Sequence, residues 1–367
     1  MKITLLNDTS DSVNWGCQAT SYGIKDIIKS HFQDAQFNTV TNPKLPGRLF
    51  KPYRTYLNRT LLKLLSKNNA NKQKLHRQLK GLKFPEIPMP LPDRIYLNGE
   101  GMLHAKSGHL PRLLGTLMHY KNHGVWVGVI NQTIDLPGDS LELEVLVQVF
   151  NSIDHVTVRD PYSYELLRGA GVKNCQLVPD AAFYCAIPES EEVETVRRQF
   201  DLPKEYIALT GSSALSGKSF EEFFGVYKTV KKKTNMPIVL LGNTKTDYQL
   251  SEKVRRLDPS SILISNPATF RQAMAVIAGA EFFVSGRFHP IIFAARAGTA
   301  IIPLTANTHK NQGLLKLLEY PVEAINWHVP MGIERGFEAL AESGQTGRQA
   351  VQKAAQNLCL ETCKIVG

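Results

Sequence analysis

Two arginines in the sequence each follow an apolar, β-branched run and each precede a proline by a few residues. Arg159 lies two residues before Pro161, and Arg287 lies three residues before Pro290. Because proline is favoured as the first residue of a helix, each arginine is predicted to stand where a strand ends and a helix begins. Helix N-termini at the carboxyl ends of parallel strands bind anions, and guanidinium groups bind phosphate or carboxylate bidentately. The pattern therefore predicts a site for a small polyanion.

The same two arginines also admit a purely structural interpretation. Arg159 is near Asp160 and Glu165 in the sequence and could pair with either carboxylate. Arg287 could instead cap a neighbouring helix. Gly286 favours the binding interpretation for Arg287, because a residue without a side chain lets the backbone approach a ligand closely.

His289 is the candidate for proton transfer. It stands at the predicted N-cap of a helix over 290–297, and an imidazole exchanges protons near neutral pH. Lys310 follows a predicted strand over 300–303 and begins the next helix, so we expect it at the same edge of the sheet. His309, its neighbour in the sequence, could serve in its place.

The pattern of cysteines indicates in which cellular compartment the protein works. The five cysteines are scattered and odd in number, without a CxxC pair, which is typical of a reducing compartment. No His/Asp cluster has the spacing of metal ligands, and no cofactor is predicted. The first residues turn polar too early for a signal peptide, and no apolar run is long enough for a membrane span. The sequence predicts a cytoplasmic protein.

The net charge of +10 is unevenly distributed, because residues 44–83 hold twelve Lys or Arg and no acidic residue. A solvated basic face would explain this, but leucines recur there at near-helical spacing. We expect a basic amphipathic helix that rests on an anionic membrane, at the inner membrane face. Nucleic acid is not a predicted partner, since no nucleic-acid-binding motif is present. The leucines are Leu57, Leu61, Leu62, Leu64 and Leu65.

Short β-branched runs alternate with helical stretches along nearly the whole sequence, which predicts an α/β fold with parallel sheets. An acidic stretch over 188–194 separates two such series. We therefore expect two Rossmann-like domains, 1–187 and 188–367, that face a cleft, with the last helix crossing back to the first domain. The predicted strands are 3–7, 94–97, 125–130, 156–158, 176–178, 206–210, 238–241, 261–264, 282–284 and 300–303.

These blocks resemble the polysaccharide pyruvyl transferases. Ser285-Gly286-Arg287-Phe288-His289, with Lys310 downstream, is similar to the family's C-terminal pattern of Ser-x-Arg-hydrophobic-His. Val158-Arg159-Asp160 and Val178-Pro179-Asp180-Ala181-Ala182-Phe183 resemble its central segment. The order and separation of the blocks fit the family from about residue 10 to 325.

The resemblance implies a fold like that of two-domain GT-B glycosyltransferases, with the donor on the C-terminal side. It implies phosphoenolpyruvate as donor and a glycan, often lipid-linked, as acceptor. The residues that it implies for the donor are Arg159, Arg287, Phe288 and His289, with Lys310 nearby.

Two loops depart from the family pattern. Asn14-Trp15-Gly16-Cys17 resembles the family's Asn-x-Gly-Asp opening, but Cys17 replaces the acid. Asn98-Gly99-Glu100-Gly101 resembles its glycine-rich turn, which Glu100 interrupts. Both loops fall in the N-terminal domain, which receives the acceptor in this family. Asn14 and Glu100 are therefore the predicted acceptor-binding residues, and the acceptor's identity stays open.

The implied reaction adds two sugar hydroxyls to C2 of the enolpyruvyl group and releases phosphate. His289 would protonate C3, Lys310 would assist the leaving phosphate, and Asp180 or Glu100 would take the hydroxyl protons. Asp180 could equally be a buried loop anchor. Two alternatives remain: a GT-B glycosyltransferase that uses a sugar nucleotide, and a non-catalytic glycan-assembly or membrane-docking protein.

Overall fold

The computed structural model describes residues 1–41, 51–66, 90–104, 108–264 and 269–367, apart from the side chains of 51–57 and 330. The chain divides into two compact units. Unit 1 comprises Met1–Thr9, Ile24–Asp180 and Thr362–Gly367, and unit 2 comprises Ser10–Gly23 and Ala181–Glu361.

In the part of the chain that the structure describes, unit 1 holds a six-stranded sheet in the order β2-β1-β3-β4-β5-β6, and every neighbouring pair is parallel. Its strands are β1 (Lys2–Asp8), β2 (Gln36–Thr41), β3 (Arg94–His104), β4 (Trp126–Asp135), β5 (His155–Val158) and β6 (Cys175–Leu177). The helices in this part of the sequence are α1 (Trp15–His31), α2 (Lys51–Ser66), α3 (Leu110–Asn122), α4 (Leu141–Ser152) and α5 (Pro161–Gly169).

Within the described residues of unit 2, a five-stranded parallel sheet has the order β11-β10-β7-β8-β9. Its strands are β7 (Ile207–Ser212), β8 (Ile238–Leu241), β9 (Ile262–Ile264), β10 (Phe282–Gly286) and β11 (Ala300–Pro303). Its helices are α6 (Ser190–Gln199), α7 (Phe220–Thr234), α8 (Lys245–Leu257), α9 (Phe270–Ala278), α10 (Phe288–Ala297), α11 (Lys310–Leu317) and α12 (Pro330–Glu361). Short 3-10 helices lie at Ala181–Tyr184 and Thr362–Val366.

The predicted α/β fold with two Rossmann-like domains is confirmed. The strands in the middle of each sheet are apolar and buried on both faces, as parallel sheets covered by helices require. Helix boundaries follow local signals. Asp160 is the N-cap of α5, where its Oδ1 accepts from the Ser163 amide at 2.9 Å, and α10 ends at Gly298 with φ of 79°.

Among the described strands, each sheet has one switch point, where the strand order reverses. In unit 1 it lies between β1 and β3, and in unit 2 it lies between β7 and β10. Crevices at the carboxyl ends of strands on either side of such a point are where open α/β sheets bind ligands. A ligand site is therefore expected in the loops after these four strands.

The two units do not coincide with the predicted domains. Two short segments each belong to the unit that is formed mostly by a distant part of the sequence. Trp15 and Ala19 at the start of α1 are buried in the core of unit 2, so Ser10–Gly23 belongs there. Residues Thr362–Gly367 belong to unit 1, where Ile365 and Val366 are buried. The division itself falls between Asp180 and Ala181. Helix α12, bent at Gly344, stays in unit 2.

Three leucines of the basic segment face protein, and the prediction that the leucines rest on a membrane is wrong for these three. Leu61, Leu62 and Leu65 of α2 are buried in the core of unit 1. An amphipathic helix has the same pattern whether its apolar face covers a core or a membrane, so the sequence could not separate the two. Residues 44–50 and 67–83 lie outside the described residues. No described helix has the length and apolarity to span a bilayer.

Candidate active site

Arg287 stands at the switch point of unit 2, as the N-cap of α10 directly after β10. Its Nη2 donates to Thr244 Oγ1 at 3.0 Å and to Asp247 Oδ1 at 2.8 Å. Its Nε is buried and has no partner among the residues that the structure describes. One side of the guanidinium is thus fixed by the N-terminus of α8.

Asp247, in the first turn of α8, is completely buried. A Cβ on Gly211 would lie only 2.2 Å from its Oδ1, so the glycine at the end of β7 makes room for this carboxylate. Burial raises the pKa of Asp247 above its usual range, and the charge of Arg287 opposes that shift in pKa. Thr244 is the N-cap of α8 and accepts from the Asp247 amide at 3.2 Å, so both partners of Arg287 are set by one helix terminus.

His289 is the second residue of α10 rather than its N-cap, because the helix begins two residues earlier than predicted. Its Nε2 lies 3.0 Å from Thr20 Oγ1. A Cβ on Gly16 would lie 2.1 Å from its Nδ1, so the ring packs directly against that glycine. These two contacts of the imidazole come from Ser10–Gly23, the amino-terminal part of unit 2.

Asn14 uses its side chain to begin α1. Its Oδ1 accepts from the amides of Gly16 at 2.9 Å and Cys17 at 3.4 Å. The opening loop thus lies in unit 2 with His289, whereas Glu100 lies in unit 1. The sequence grouped these two loops because both precede residue 187. The buried Trp15 explains the difference, since it fixes the loop in the core of unit 2.

Lys310 begins α11 and donates from Nζ to Asn307 Oδ1 at 2.8 Å. Ser213, which follows β7, donates to the same oxygen at 2.8 Å. Asn311 is fully buried, and its Nδ2 donates to the carbonyl of Gly286 at 3.2 Å and to that of Leu304 at 2.8 Å. The loops after β7, β10 and β11 are thereby tied into one surface.

Phe288 packs inward. Its side chain is buried in the core of unit 2, and its ring meets the His289 ring edge-on with 5.2 Å between centroids. A direct contact between this side chain and a donor stays a prediction. The Phe288 ring therefore packs against the imidazole of His289.

Arg159 directly follows β5 of unit 1 and is almost completely buried. Its Nη1 pairs with Asp180 Oδ2 at 2.7 Å, and its Nε donates to Thr133 Oγ1 at 3.0 Å. A Cβ on Gly101 would lie 3.9 Å from Nη2, so the glycine-rich turn and the arginine meet. Asp180 thus has the geometry of a buried anchor, and its role as a base stays a prediction.

Glu100 stands at the switch point of unit 1, in the left-handed region with φ of 42°. Its Oε1 accepts from Thr9 Oγ1 at 2.6 Å and from Asn98 Nδ2 at 3.1 Å. Asn7 and Asn131, which lie toward the carboxyl ends of β1 and β4, also have φ of 60°. Non-glycine residues in this region are strained, and such strain clusters at functional sites. Unit 1 therefore holds a carboxylate and several buried side-chain amides close to its switch point.

The structure brings together one predicted group in each unit. Unit 2 contains Asn14, Arg287, Phe288, His289 and Lys310, and unit 1 contains Glu100, Arg159 and Asp180. Among the described residues, no group of three or more His, Cys, Asp and Glu side chains is placed to hold a metal ion.

Sequence reasoning missed several residues of unit 2 that hold the predicted ones. Thr244 and Asp247 have a readable signal, since a Thr three residues before an acid after a strand is a helix-start pattern. Thr20 and Asn311 have none, because nothing near them in the sequence indicates their partners. The missed residues are Thr20, Thr244, Asp247, Asn307 and Asn311.

The family model of the polysaccharide pyruvyl transferases matches residues 14–307. The match includes the switch point of unit 2 and every residue of the two groups apart from Lys310. The chain belongs to the polysaccharide pyruvyl transferase family, and it is therefore a transferase of polysaccharide biosynthesis with a glycan acceptor. No curated protein matches the sequence significantly.

Solved structures with a similar fold are distant in sequence. The UDP-GlcNAc 2-epimerase of Methanocaldococcus jannaschii, in complex with UDP-GlcNAc and UDP, has a TM-score of 0.60 at 12% identity, over 98% of this chain and 100% of that one. UGT71G1 of Medicago truncatula, complexed with UDP-glucose, has a TM-score of 0.57 at 11% identity, over 100% and 96%. A glycosyltransferase of Rickettsia africae has 0.56 at 10%, over 99% and 95%. These likenesses establish a GT-B-like fold.

Proposed function

We propose that the chain forms a pyruvate ketal on a sugar of a lipid-linked glycan, with phosphoenolpyruvate as the donor. The observation that carries the proposal is the position of Arg287 and His289 at the switch point of unit 2. Phosphoenolpyruvate offers a phosphate and a carboxylate to the guanidinium and a methylene carbon to the imidazolium. A cation and an acid–base group side by side fit this donor.

In the proposed reaction, the imidazolium of His289 protonates C3, which leaves an oxocarbenium-like centre at C2. One sugar hydroxyl adds to C2 and releases its proton. The bond between C2 and the phosphate oxygen then breaks, and the second hydroxyl adds to C2 and releases its proton. Of the two protons, one restores His289 and the other leaves on inorganic phosphate. Arg287 neutralises the departing phosphate, and Lys310 assists it.

For unit 1 we propose that Glu100 binds acceptor hydroxyls, because its carboxylate lies among amides at the switch point. Arg159 as a second donor ligand and Asp180 as a base remain proposals.

The five cysteines are free thiols, which fits the proposed cytoplasmic setting. Arg59 and Lys63 of α2 are exposed, and we propose that they meet anionic lipid headgroups. Flotation of wild type and an Arg59→Gln/Lys63→Gln variant with anionic vesicles tests that contact.

A second candidate is a transferase that uses a sugar nucleotide, because the structures of similar fold were solved with UDP or UDP sugars. The discriminating experiment is a thermal-shift titration with phosphoenolpyruvate, UDP-glucose and UDP-GlcNAc. A ligand at 100 times its Kd stabilises a protein by about 2.7 kcal/mol. We expect a shift with phosphoenolpyruvate and none with the sugar nucleotides. The opposite result would replace the proposal by the second candidate.

The donor-site variant should remove the guanidinium without leaving the buried Asp247 carboxylate unpaired. Arg287→Gln combined with Asp247→Asn meets this condition, and it should abolish the phosphoenolpyruvate shift. Arg296→Gln changes an arginine at the other end of α10 and serves as the matched control. Acceptor-dependent release of inorganic phosphate then checks turnover. An unchanged phosphoenolpyruvate shift in the double variant would contradict the assignment of Arg287.

A further inference from the structure

Helix α12, the last helix of unit 2, is bent where its backbone leaves the helical region. Gly344 has φ of 55° and ψ of −154°, a combination that is essentially restricted to glycine. Nothing lies within 4 Å of the position that a Cβ would take, so the backbone conformation, and not a close neighbour, requires a glycine here. Backbone of this kind clusters at functional sites. The bend therefore points to a function of the surface around Gly344.

A cavity of about 600 Å³ lies beside this bend. Its walls are the two halves of α12 that meet at Gly344, the start of β10 at Phe282 and the end of α10 at Gly298. Arg287 stands at the opposite end of both β10 and α10, and a helix of ten residues is about 15 Å long. The cavity is therefore separate from the proposed donor site. Its volume falls within the roughly 300–1,000 Å³ of ligand pockets.

The polar lining of the cavity consists of one cation and several amides. Gln345, Arg348 and Gln349 lie in the first turns after the bend, and Gln352 follows them on the same helix. Gln345 and Gln349 are exposed, and no hydrogen bond joins either side chain to a described residue. Each amide offers two donors and one acceptor oxygen, which suits the hydroxyls of a sugar. Among the described residues, no acidic side chain lines the cavity.

Arg348 is held in place by an aromatic ring rather than by a close carboxylate. Its guanidinium carbon lies 5.4 Å from the centroid of the Phe282 ring, and that ring meets Phe337 edge-on at 5.0 Å. Its Nη1 is 3.8 Å from Oε2 of Glu281, which is beyond hydrogen-bond distance, and its side chain is 36% exposed. A guanidinium held in this way can donate two parallel hydrogen bonds to the carboxylate of a ligand.

We propose that this cavity binds a carboxylate-bearing oligosaccharide, with Arg348 on the carboxylate and the amides of Gln345 and Gln349 on neighbouring hydroxyls. Arg348 is the one cationic side chain of the described lining, which favours a single carboxylate over a ligand with several phosphates. Phe282 and Leu340 supply apolar surface on which the C–H face of a sugar packs. The inference goes beyond the proposed function, because it assigns a second glycan site at the other end of the sheet from Arg287.

The carboxylate has two sources in a glycan of this kind. It belongs either to a uronic acid or to a pyruvate ketal, which keeps the free carboxylate of the pyruvyl group. A chain that is held at a second site is present at a raised effective concentration wherever else the same protein binds it. The cavity would thus keep an acidic polymer attached to the enzyme between successive transfers.

The first experiment measures binding to the full chain by isothermal titration calorimetry, without phosphoenolpyruvate. The probes are tri-galacturonate, a methyl galactoside that carries a 4,6-pyruvate ketal, and maltotriose as the neutral oligosaccharide. We expect saturable binding of an acidic probe and binding of maltotriose that is at least about ten times weaker, since only the acidic probes offer a charged acceptor to Arg348. The acidic probe with the lower Kd identifies the source of the carboxylate.

Variants then locate the bound probe. Arg348→Gln removes the charge and keeps a hydrogen-bonding side chain, and it should raise the Kd of the acidic probe at least about tenfold. The double variant Gln345→Ala/Gln349→Ala should also raise it about tenfold, because two hydrogen bonds are lost. Arg335→Gln is the matched control, since it changes an exposed arginine of α12 before the bend, and it should bind the probe as wild type does. Circular dichroism should show that all variants fold.

The absence of saturable binding by both acidic probes would overturn the inference. Equal Kd values in wild type and Arg348→Gln would overturn it too, because the probe would then be bound elsewhere on the protein. Maltotriose that binds as tightly as the acidic probes would contradict the role of the carboxylate. A chain that binds an acidic probe through Arg348 but does not turn over phosphoenolpyruvate would uphold the second site and overturn the proposed function instead.

Discussion

Asp247 and Arg287 form an ion pair at 2.8 Å in which the Asp247 side chain is completely buried and the Arg287 side chain remains 13% exposed. Only Nη2 of the arginine takes part, shared with the hydroxyl of Thr244. The pair therefore fixes the orientation of the guanidinium. A buried carboxylate without its cation is costly, so the two residues cannot be varied independently.

Removing Arg287 alone should destabilise the protein. We expect Arg287→Ala to lower the free energy of unfolding by about 3 kcal/mol, because it leaves Asp247 buried and unpaired. The double change Arg287→Gln and Asp247→Asn should recover most of that loss, since two amides can hydrogen-bond without charge. Chemical denaturation of wild type and both variants measures the difference. Equal losses in the single and double variants would show that the pair contributes packing rather than charge compensation.

Glu100 should affect the acceptor and leave the donor alone. Glu100→Gln keeps the shape of the side chain and removes its charge, and charged hydrogen bonds contribute about 1.5–3 kcal/mol. We expect KM for the glycan acceptor to rise by about tenfold or more, with the phosphoenolpyruvate thermal shift unchanged. Steady-state kinetics at saturating phosphoenolpyruvate give the comparison.

The matched control for this variant is Glu142→Gln, which changes an exposed position in the first turn of α4, in the same unit. It should behave as wild type. An unchanged acceptor KM in Glu100→Gln would remove Glu100 from the acceptor site and leave its contacts with Thr9 and Asn98 as purely structural.

His155 makes the stability of unit 1 depend on pH. Burial lowers the pKa of His155, against the opposing effect of its hydrogen bond from Nε2 to the Ile365 carbonyl at 3.0 Å. The unfolded chain, with an ordinary histidine pKa of about 6.5, therefore binds this proton at a higher pH than the native protein does. The contribution of His155 to the free energy of unfolding is complete above about pH 6.5 and is lost as the pH falls below that value.

We expect the Tm advantage of wild type over His155→Gln to shrink as the pH is lowered from 7.5 to 5, values that bracket the ordinary histidine pKa of about 6.5. Differential scanning calorimetry across this range gives the comparison. His328→Gln, at an exposed histidine, should track wild type at every pH. A constant gap between wild type and His155→Gln would mean that His155 contributes only its hydrogen bond.

The sequence was sufficient for features that depend on neighbouring residues. Apolar β-branched runs marked the buried strands, and Asp160 and Gly298 marked helix ends. Strand β2 was missed because its side chains are mostly exposed, so it lacks an apolar run. The two arginines were placed correctly at strand ends, because a strand, a cation and a proline are all local.

Contacts between distant positions were beyond reach. Thr20 and His289 are 269 positions apart, and no pattern in either segment indicates the other. Arg159 pairs with Asp180, 21 positions away, although two acids stand closer in the sequence. Proximity in sequence is a poor guide here, because a strand and a helix separate residues that the sheet edge brings together.

The exchange of short segments between the units has a consequence for how the protein is made. Ser10–Gly23 emerges early but needs the core of unit 2, which is synthesised more than a hundred and fifty residues later. Unit 1 in turn waits for Thr362–Gly367, whose carbonyls receive the hydrogen bonds of Tyr96 and His155. Neither unit can be completed during translation before most of the other exists. A fragment cut between Asp180 and Ala181 would therefore lack part of its own interior.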